Sequence, residues 1–500
     1  MNSNTTASDN TAVGMNSMNV NTTGHSNTAV GKYSLTANTT GSYNAAVGDL
    51  ALEDNTTGGS LAAFGAFALA NNTTASYNTA CGQGSLYTNT TGHSNSAVGD
   101  AALFSCTTGS NNVAIGKSAL TANTTANSST AVGYQALKTT TTAGHNEAFG
   151  YSALEMNTSG LYNVAIGSYA LEENTTGDNN VAVGGRCLDD NTTGSFCVGV
   201  GYEALGANTT GNSNTAIGYN ALDANTEGEK NTAVGRHALG DNTTGDENTA
   251  VGQEAGKDIT TGSSNVAIGH QSMNVSTTGD KNTAVGYQTL YANTTASNNT
   301  AFGYRALKNN TTGTENTAVG INAGDAITTG NENCVLGKGA LTTCTTGGQN
   351  VAMGSNAGQV ILDGIKNTCI GFDCGNGISS GDNNMTLGNQ SGTAASPSGN
   401  ITTGDNIICL GNNSVTDLYC ADTSISSSDK RDKTDITNFT EGLSWVNQLN
   451  PVTYRWDKRT WYDDNTPDGS KKRDKKHIGF LAQDVLAIEG NPEKKDMLVV

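Results

Sequence analysis

Five hundred residues with 35% hydrophobic and 6% aromatic content are poor material for a large globular core. The formal net charge of −19 argues against a nucleic-acid partner, which needs clustered Lys and Arg. The ten cysteines show neither zinc spacing nor a dense disulfide framework and the six histidines are scattered, so no metal and no cofactor is expected. No signal peptide and no membrane-spanning stretch is apparent.

Asn, Thr, Gly and Ala dominate, a mixture that on composition alone could pass for disorder. The order of the residues excludes that reading. From Gly14 to Gly388 a glycine recurs every seventeen residues, which places twenty-three glycines in register, and Gly411 follows after one insertion. Residues 1–13 already read as repeat, so the chain is expected to begin inside the repetitive region. A period this strict predicts a solenoid whose coils stack and share their faces.

The unit Gly303 to Val319 shows the pattern, with Gly303 counted as position zero. Positions one and two accept almost any residue and are expected to face water. Position three is always small, and position four is Leu in sixteen units and Met at Met18 and Met273. Positions fourteen to sixteen read as a short strand, as in Val266-Ala267-Ile268, with fourteen and sixteen on one face and fifteen on the other. The invariant opening glycine implies positive φ or a very close chain approach. Position ten is looser, with Ala75, Ala126, Ala143 and Ala296, so that corner is not expected to be left-handed.

Five units carry Gly at position four: Gly256, Gly324, Gly358, Gly375 and Gly392. In the first four, position seven is Ile259, Ile327, Ile361 or Ile378 instead of the usual Asn; in the fifth, Ile401 falls there once six extra residues around Pro397 are removed. Volume lost at four reappears at seven, so the two positions are predicted to touch in one core site. The Asn-Thr-Thr triplets match the glycosylation acceptor pattern, but stacked Asn ladders account better for Asn38, Asn55 and Asn72. The cysteines sit at small or core-facing positions and read as buried free thiols of a reducing compartment. Position fifteen, almost always Ala and opposite the Val/Ile face, suggests a second crowded surface where chains meet.

None of the four prolines precedes residue 397, as a ladder needing every backbone N–H requires. Composition shifts near residue 425. Residues 1–388 form the regular repeat, 389–427 a last coil and connector, and 428–500 a different domain that holds all three tryptophans. Residues 428–500 carry thirteen basic and thirteen acidic residues, so the net charge belongs to the repeat. The run Lys471 to Lys476 is interrupted by Asp474 and reads as a solvated loop.

The Asn-Thr-Ala-Val-Gly-Tyr-x-Ala-Leu unit resembles the left-handed parallel β-roll of trimeric adhesin heads, which implies a mainly β fold and a homotrimer. Ser428-Asp429-Lys430-Arg431-Asp432-Lys433, Leu449-Asn450-Pro451-Val452-Thr453-Tyr454 and Ile478-Gly479-Phe480-Leu481-Ala482-Gln483 occur in that order. Together they resemble the endosialidase-type intramolecular chaperone domain of phage tail spikes and fibres, a small α+β domain that continues past the last block into C-terminal helices. The resemblance implies a self-cleaving dyad with Ser428 as nucleophile and Lys433 as general base, cutting between Ser427 and Ser428. A serine hydroxyl needs such a base, and a lysine serves only if its pKa is lowered. Spacing alone favours a helix N-cap at Ser428 and a surface charge at Lys433, since residues five apart on a helix diverge; the flanking blocks favour the dyad.

The resulting expectation is a phage tail-fibre or spike shaft in the virion, assembled in the host cytoplasm as a homotrimer. Its expected partners are other tail or baseplate proteins and a host surface glycan or protein receptor. A serine peptidase acting once in cis would be its only enzymatic activity. A cellular trimeric adhesin would call for a secretion signal and a membrane anchor. A polysaccharide-degrading spike would need paired carboxylates in a cleft, whereas Asp54, Glu173 and Asp241 fall at solvent-facing positions.

Overall fold

The computed structural model describes residues 5–417, 447–455, 466, 469–470, 474, 476–479, 481 and 487–488. The chain divides into two compact units, Met1–Thr416 and Asp417–Val500. The first is a parallel β-solenoid of 24 three-residue strands, β1 (Thr11–Val13) through β24 (Ile408–Leu410), one per coil. Each strand occupies positions fourteen to sixteen and pairs in register with the next, as in Thr300↔Thr317, Ala301↔Ala318 and Phe302↔Val319.

Hydrogen bonding between coils extends well beyond the strands. In one coil Leu307 N donates to Ala323 O at 3.0 Å, Thr311 N to Thr328 O at 2.9 Å and Gly320 N to Phe302 O at 2.8 Å. Backbone amides are engaged around the whole coil, which is the physical reason that proline is kept out of it.

Both readings of the opening glycine hold together. Gly303 has φ of +126°, and a Cβ built on it would lie 2.6 Å from the carbonyl oxygen of Gly320 in the next coil. Position ten is not left-handed, as expected. The sequence did not disclose three further left-handed positions in each coil that are mostly not glycine: two, four and twelve, as in Arg305 (φ 57°), Leu307 (φ 49°) and Glu315 (φ 60°). Each costs an L-residue roughly 1–2 kcal/mol, and the coil retains them because its inter-coil hydrogen bonds fix the backbone.

The core is a narrow column. Leu307 and Ala306 are fully buried, as are their counterparts along the solenoid. The predicted contact between four and seven is present: a Cβ on Gly324 would sit 2.9 Å from Ile327 Cδ1, and one on Gly256 would sit 3.0 Å from Ile259 Cδ1.

The reading of position fifteen needs correction. Ala301, Ala318 and their equivalents are sealed inside the coil, while Phe302 is 40% and Leu336 48% exposed. The coil interior is too narrow for a large residue opposite Leu, so the small residue points in and the bulky one points out. At Gly199 even a Cβ is excluded, because Cys187 Sγ fills that volume.

The asparagine ladder is present. Asn38, Asn55 and Asn72 are fully buried, and each donates through Nδ2 to the Oδ1 of the asparagine one coil earlier, at 2.7, 2.9 and 2.8 Å. A second column at position thirteen was not anticipated. Asn282 Nδ2 donates to Ala296 O at 2.8 Å, while its Oδ1 accepts the backbone N–H of Asn299 at 3.0 Å.

Candidate functional site

In the second unit, strands β25 (Val452–Tyr454) and β26 (His477–Gly479) pair antiparallel, with Val452↔Gly479, Thr453↔Ile478 and Tyr454↔His477. Two sequence blocks 25 residues apart, read from Val452 to His477, are thereby brought edge to edge. Ser427, Ser428 and Lys433, the cleavage site and the dyad, lie outside the described residues.

On the solenoid three side-chain columns carry chemistry. The first is the outward face of the strands. Val200, Ile217, Val251, Ile268, Phe302 and Leu336 are each more than a third exposed and belong to the same column. A continuous exposed apolar row of this kind is unusual on an isolated soluble chain. Sequence reasoning missed it because alternation reports two faces without saying which is inside, and the larger apolar residue was taken for the buried one.

The second column holds short runs of aromatic rings. At position one, Tyr134 stacks on Tyr151 with ring centroids 5.2 Å apart, and Tyr287 stacks on Tyr304 at 5.2 Å and 13°. A period of one coil brings like rings within stacking distance.

The third column, at position five, carries a carboxylate in several coils. Glu53, Glu172, Asp189 and Asp325 are each partly buried, and in all four burial is the main influence raising the carboxyl pKa. For Asp189, burial together with repulsion from Asp190 pushes it up to about 6. Asp54, Glu173 and Asp241 are exposed, as expected of variable positions.

Among the described residues no group of His, Cys, Asp and Glu could hold a metal ion, and no helix is long and apolar enough to cross a membrane. Burial pushes the thiols of Cys106, Cys197 and Cys344 up to about 11 and that of Cys187 up to about 12, so these are unreactive packing residues. Cys81 departs from the expectation of buried thiols: it lies at outward position sixteen and is exposed.

Fold and repeat together define a parallel β-solenoid built on a seventeen-residue period. Residues 428–494 match the family model described as the chaperone of endosialidase. The chain thus carries, after its solenoid, a domain of a self-cleaving chaperone family, and this combination fits a phage tail fibre or spike. No curated protein and no solved structure matches the chain.

Proposed function

We propose that the chain is the homotrimeric, host-attaching shaft of a phage tail fibre or spike, and that its C-terminal domain nucleates the trimer and then cuts itself off before Ser428. The observation that carries this is the match at residues 428–494 directly after an in-register parallel ladder. Such ladders pair parallel strands that are not local in sequence and expose unpaired edges while forming, so they fold slowly. A nucleus at one end fixes the register.

The outward row at position sixteen supports the trimer. It supplies an apolar surface on every coil, in place of the Ala column that turned out to be interior.

In the proposed cleavage, Ser428 Oγ attacks the carbonyl carbon of Ser427 while Lys433 takes the hydroxyl proton. The C–N bond breaks, the proton passes to the freed amine of residue 428, and an ester joins Ser427 to Ser428 Oγ. Water then hydrolyses the ester, leaving a carboxylate on Ser427. Loss of the nucleating domain makes the assembled shaft kinetically stable.

The test is expression of the chain and of Ser428→Ala, followed by denaturing gels, N-terminal sequencing and light scattering. The wild type should release a fragment beginning at Ser428, and the folded shaft should have the mass of three chains. Ser428→Ala should stay uncut yet trimeric. Cutting before residue 428 in Ser428→Ala would defeat the dyad, and a folded shaft with the mass of one chain would defeat the trimer.

A further inference from the structure

Position two is filled by a sizeable side chain in most coils, such as Phe67, Gln135 or Arg305, but Gly84, Ala101 and Ser118 fall there in consecutive coils. Nowhere else in the repeat do two small residues occupy that position in succession. At Gly84 the Phe104 ring takes the vacated space, 3.3 Å from where a Cβ would stand, and beside it, lined also by Ala101, lies a cleft of about 320 Å³. Its walls are aromatic: Tyr87 and Phe104 stack at 5.1 Å and 13°, and Phe67 meets Tyr87 edge-on at 6.2 Å. Gln83 and Asp100 form its polar rim.

These features narrow the ligand. A small concave site with mostly apolar walls and a few convergent polar groups is the usual form of a small-molecule site. Asp100 is already answered by Lys117, whose Nζ lies 3.4 Å from Asp100 Oδ2, so the rim carries no net charge and suits a neutral molecule. An aromatic cage for an organic cation needs ring faces turned towards one centre, whereas here two of the three rings spend a face on each other. A neutral ligand with one C–H-rich face and hydroxyls around its edge would place the face on the rings and the hydroxyls on Gln83 and Asp100. We propose that the cleft between Phe67, Tyr87 and Phe104 binds a single pyranose ring of a neutral saccharide. This deepens the attachment part of the proposed function and rests on it, but its test reads the cleft alone, so cleavage and saccharide binding can fail separately.

The test is saturation-transfer-difference NMR on the full chain. The probes are methyl β-D-galactopyranoside and methyl β-D-glucopyranoside, with tetramethylammonium chloride and cyclohexanol as comparators. At least one glycoside should receive saturation on its ring C–H protons, and Ala101→Gln should weaken its binding about tenfold. That substitution fills the cleft without a new backbone demand, because Ala101 (φ 55°) and Gln135 (φ 57°) share the same left-handed conformation at the same position. Asp100→Asn should weaken binding a few-fold while leaving the melting profile unchanged. Three results would overturn the proposal: no transfer to either glycoside, equal transfer in Ala101→Gln, or transfer to tetramethylammonium or cyclohexanol as strong as to the glycosides.

Discussion

Two neighbouring coils solve the same packing problem differently. The coil from Gly303 to Val319 fills its interior with Leu307 at position four, Asn310 at seven and Ala318 at fifteen; the next, from Gly320 to Leu336, uses Gly324, Ile327 and Val335. Backbone and strand register are the same in both. What changes is where the apolar volume enters. In the second coil it is shared between seven and fifteen, and the left-handed position four (φ 58°) is handed to a glycine that adopts it without strain. The exchange is therefore three-way. Every unit with Leu or Met at four has Ala or Gly at fifteen, whereas four of the five Gly units carry Val335, Cys369, Thr386 or Cys409 there.

The second solution has a polar cost. An asparagine at seven donates to the asparagine one coil earlier, so replacing it leaves that earlier oxygen without a donor. Asn242, Asn310 and Asn89 each have a buried Oδ1 without a hydrogen-bond partner, and each stands one coil before Ile259, Ile327 or Cys106 respectively.

The largest expected effect comes from converting the first coil into the second. Leu307→Gly should destabilise its coil by about 1–4 kcal/mol: the cavity cost of about 2–5 kcal/mol is partly offset by about 1 kcal/mol of relieved left-handed strain. Adding Asn310→Ile should recover much of the loss, and Ala318→Val more, read as slowed hydrogen exchange of the local amides. A double mutant no more protected than Leu307→Gly alone would break the contact between four and seven.

A smaller effect isolates the polar side of the comparison. Cys106→Asn should give Asn89 Oδ1 its missing donor and raise local stability by about 0.5–1.5 kcal/mol. Unchanged exchange at coils 82–116 would mean that the ladder bond adds nothing to the backbone register.

The smallest effect is in the surface column, where Lys308 of the first coil is followed by Asp325 of the second. Burial raises the Asp325 carboxyl, with Lys308 and Arg305 pulling the other way. A carboxyl raised on folding binds its proton more readily in the folded state, so stability falls as pH rises from the unfolded value of about 3.9 through the raised folded value, and is regained on acidification. Asp325→Asn should flatten that part of the pH profile and slow local exchange at pH 7 but not at pH 4. Identical slopes in the two proteins would show that the carboxyl is solvated.

The period, the invariant glycine and the Asn38 ladder were legible because each leaves a mark that recurs from coil to coil, and the contact between four and seven because both positions change together in five coils. The sense of the strand faces was not. Alternation of Thr-Ala-Val is symmetric under exchange of inside and outside, and only the width of the coil decides which is which. The left-handed Leu307 and Glu315 were hidden because glycine is the usual sign of that conformation and these positions do not use it. The aromatic cleft could have been found by reading position two as a column, since Gly84 and Ala101 interrupt it. The expectation of a dyad at Ser428 and Lys433 came only through the flanking blocks, for residue types at that spacing do not by themselves choose between a nucleophile and a helix cap, and both residues lie outside the described ones.

The strict register also bears on how such a chain can change. Deleting or duplicating seventeen codons anywhere between Gly14 and Gly388 rejoins each column to its own kind: leucine to leucine, ladder asparagine to ladder asparagine, glycine against carbonyl. A slip of one residue would instead turn every strand over, sending Ile and Phe into an interior position that is alanine in nearly every coil. Recombination between neighbouring repeats can therefore reset the number of coils in whole steps without disturbing any one of them, and the count is open to inheritance as a variable separate from the fold.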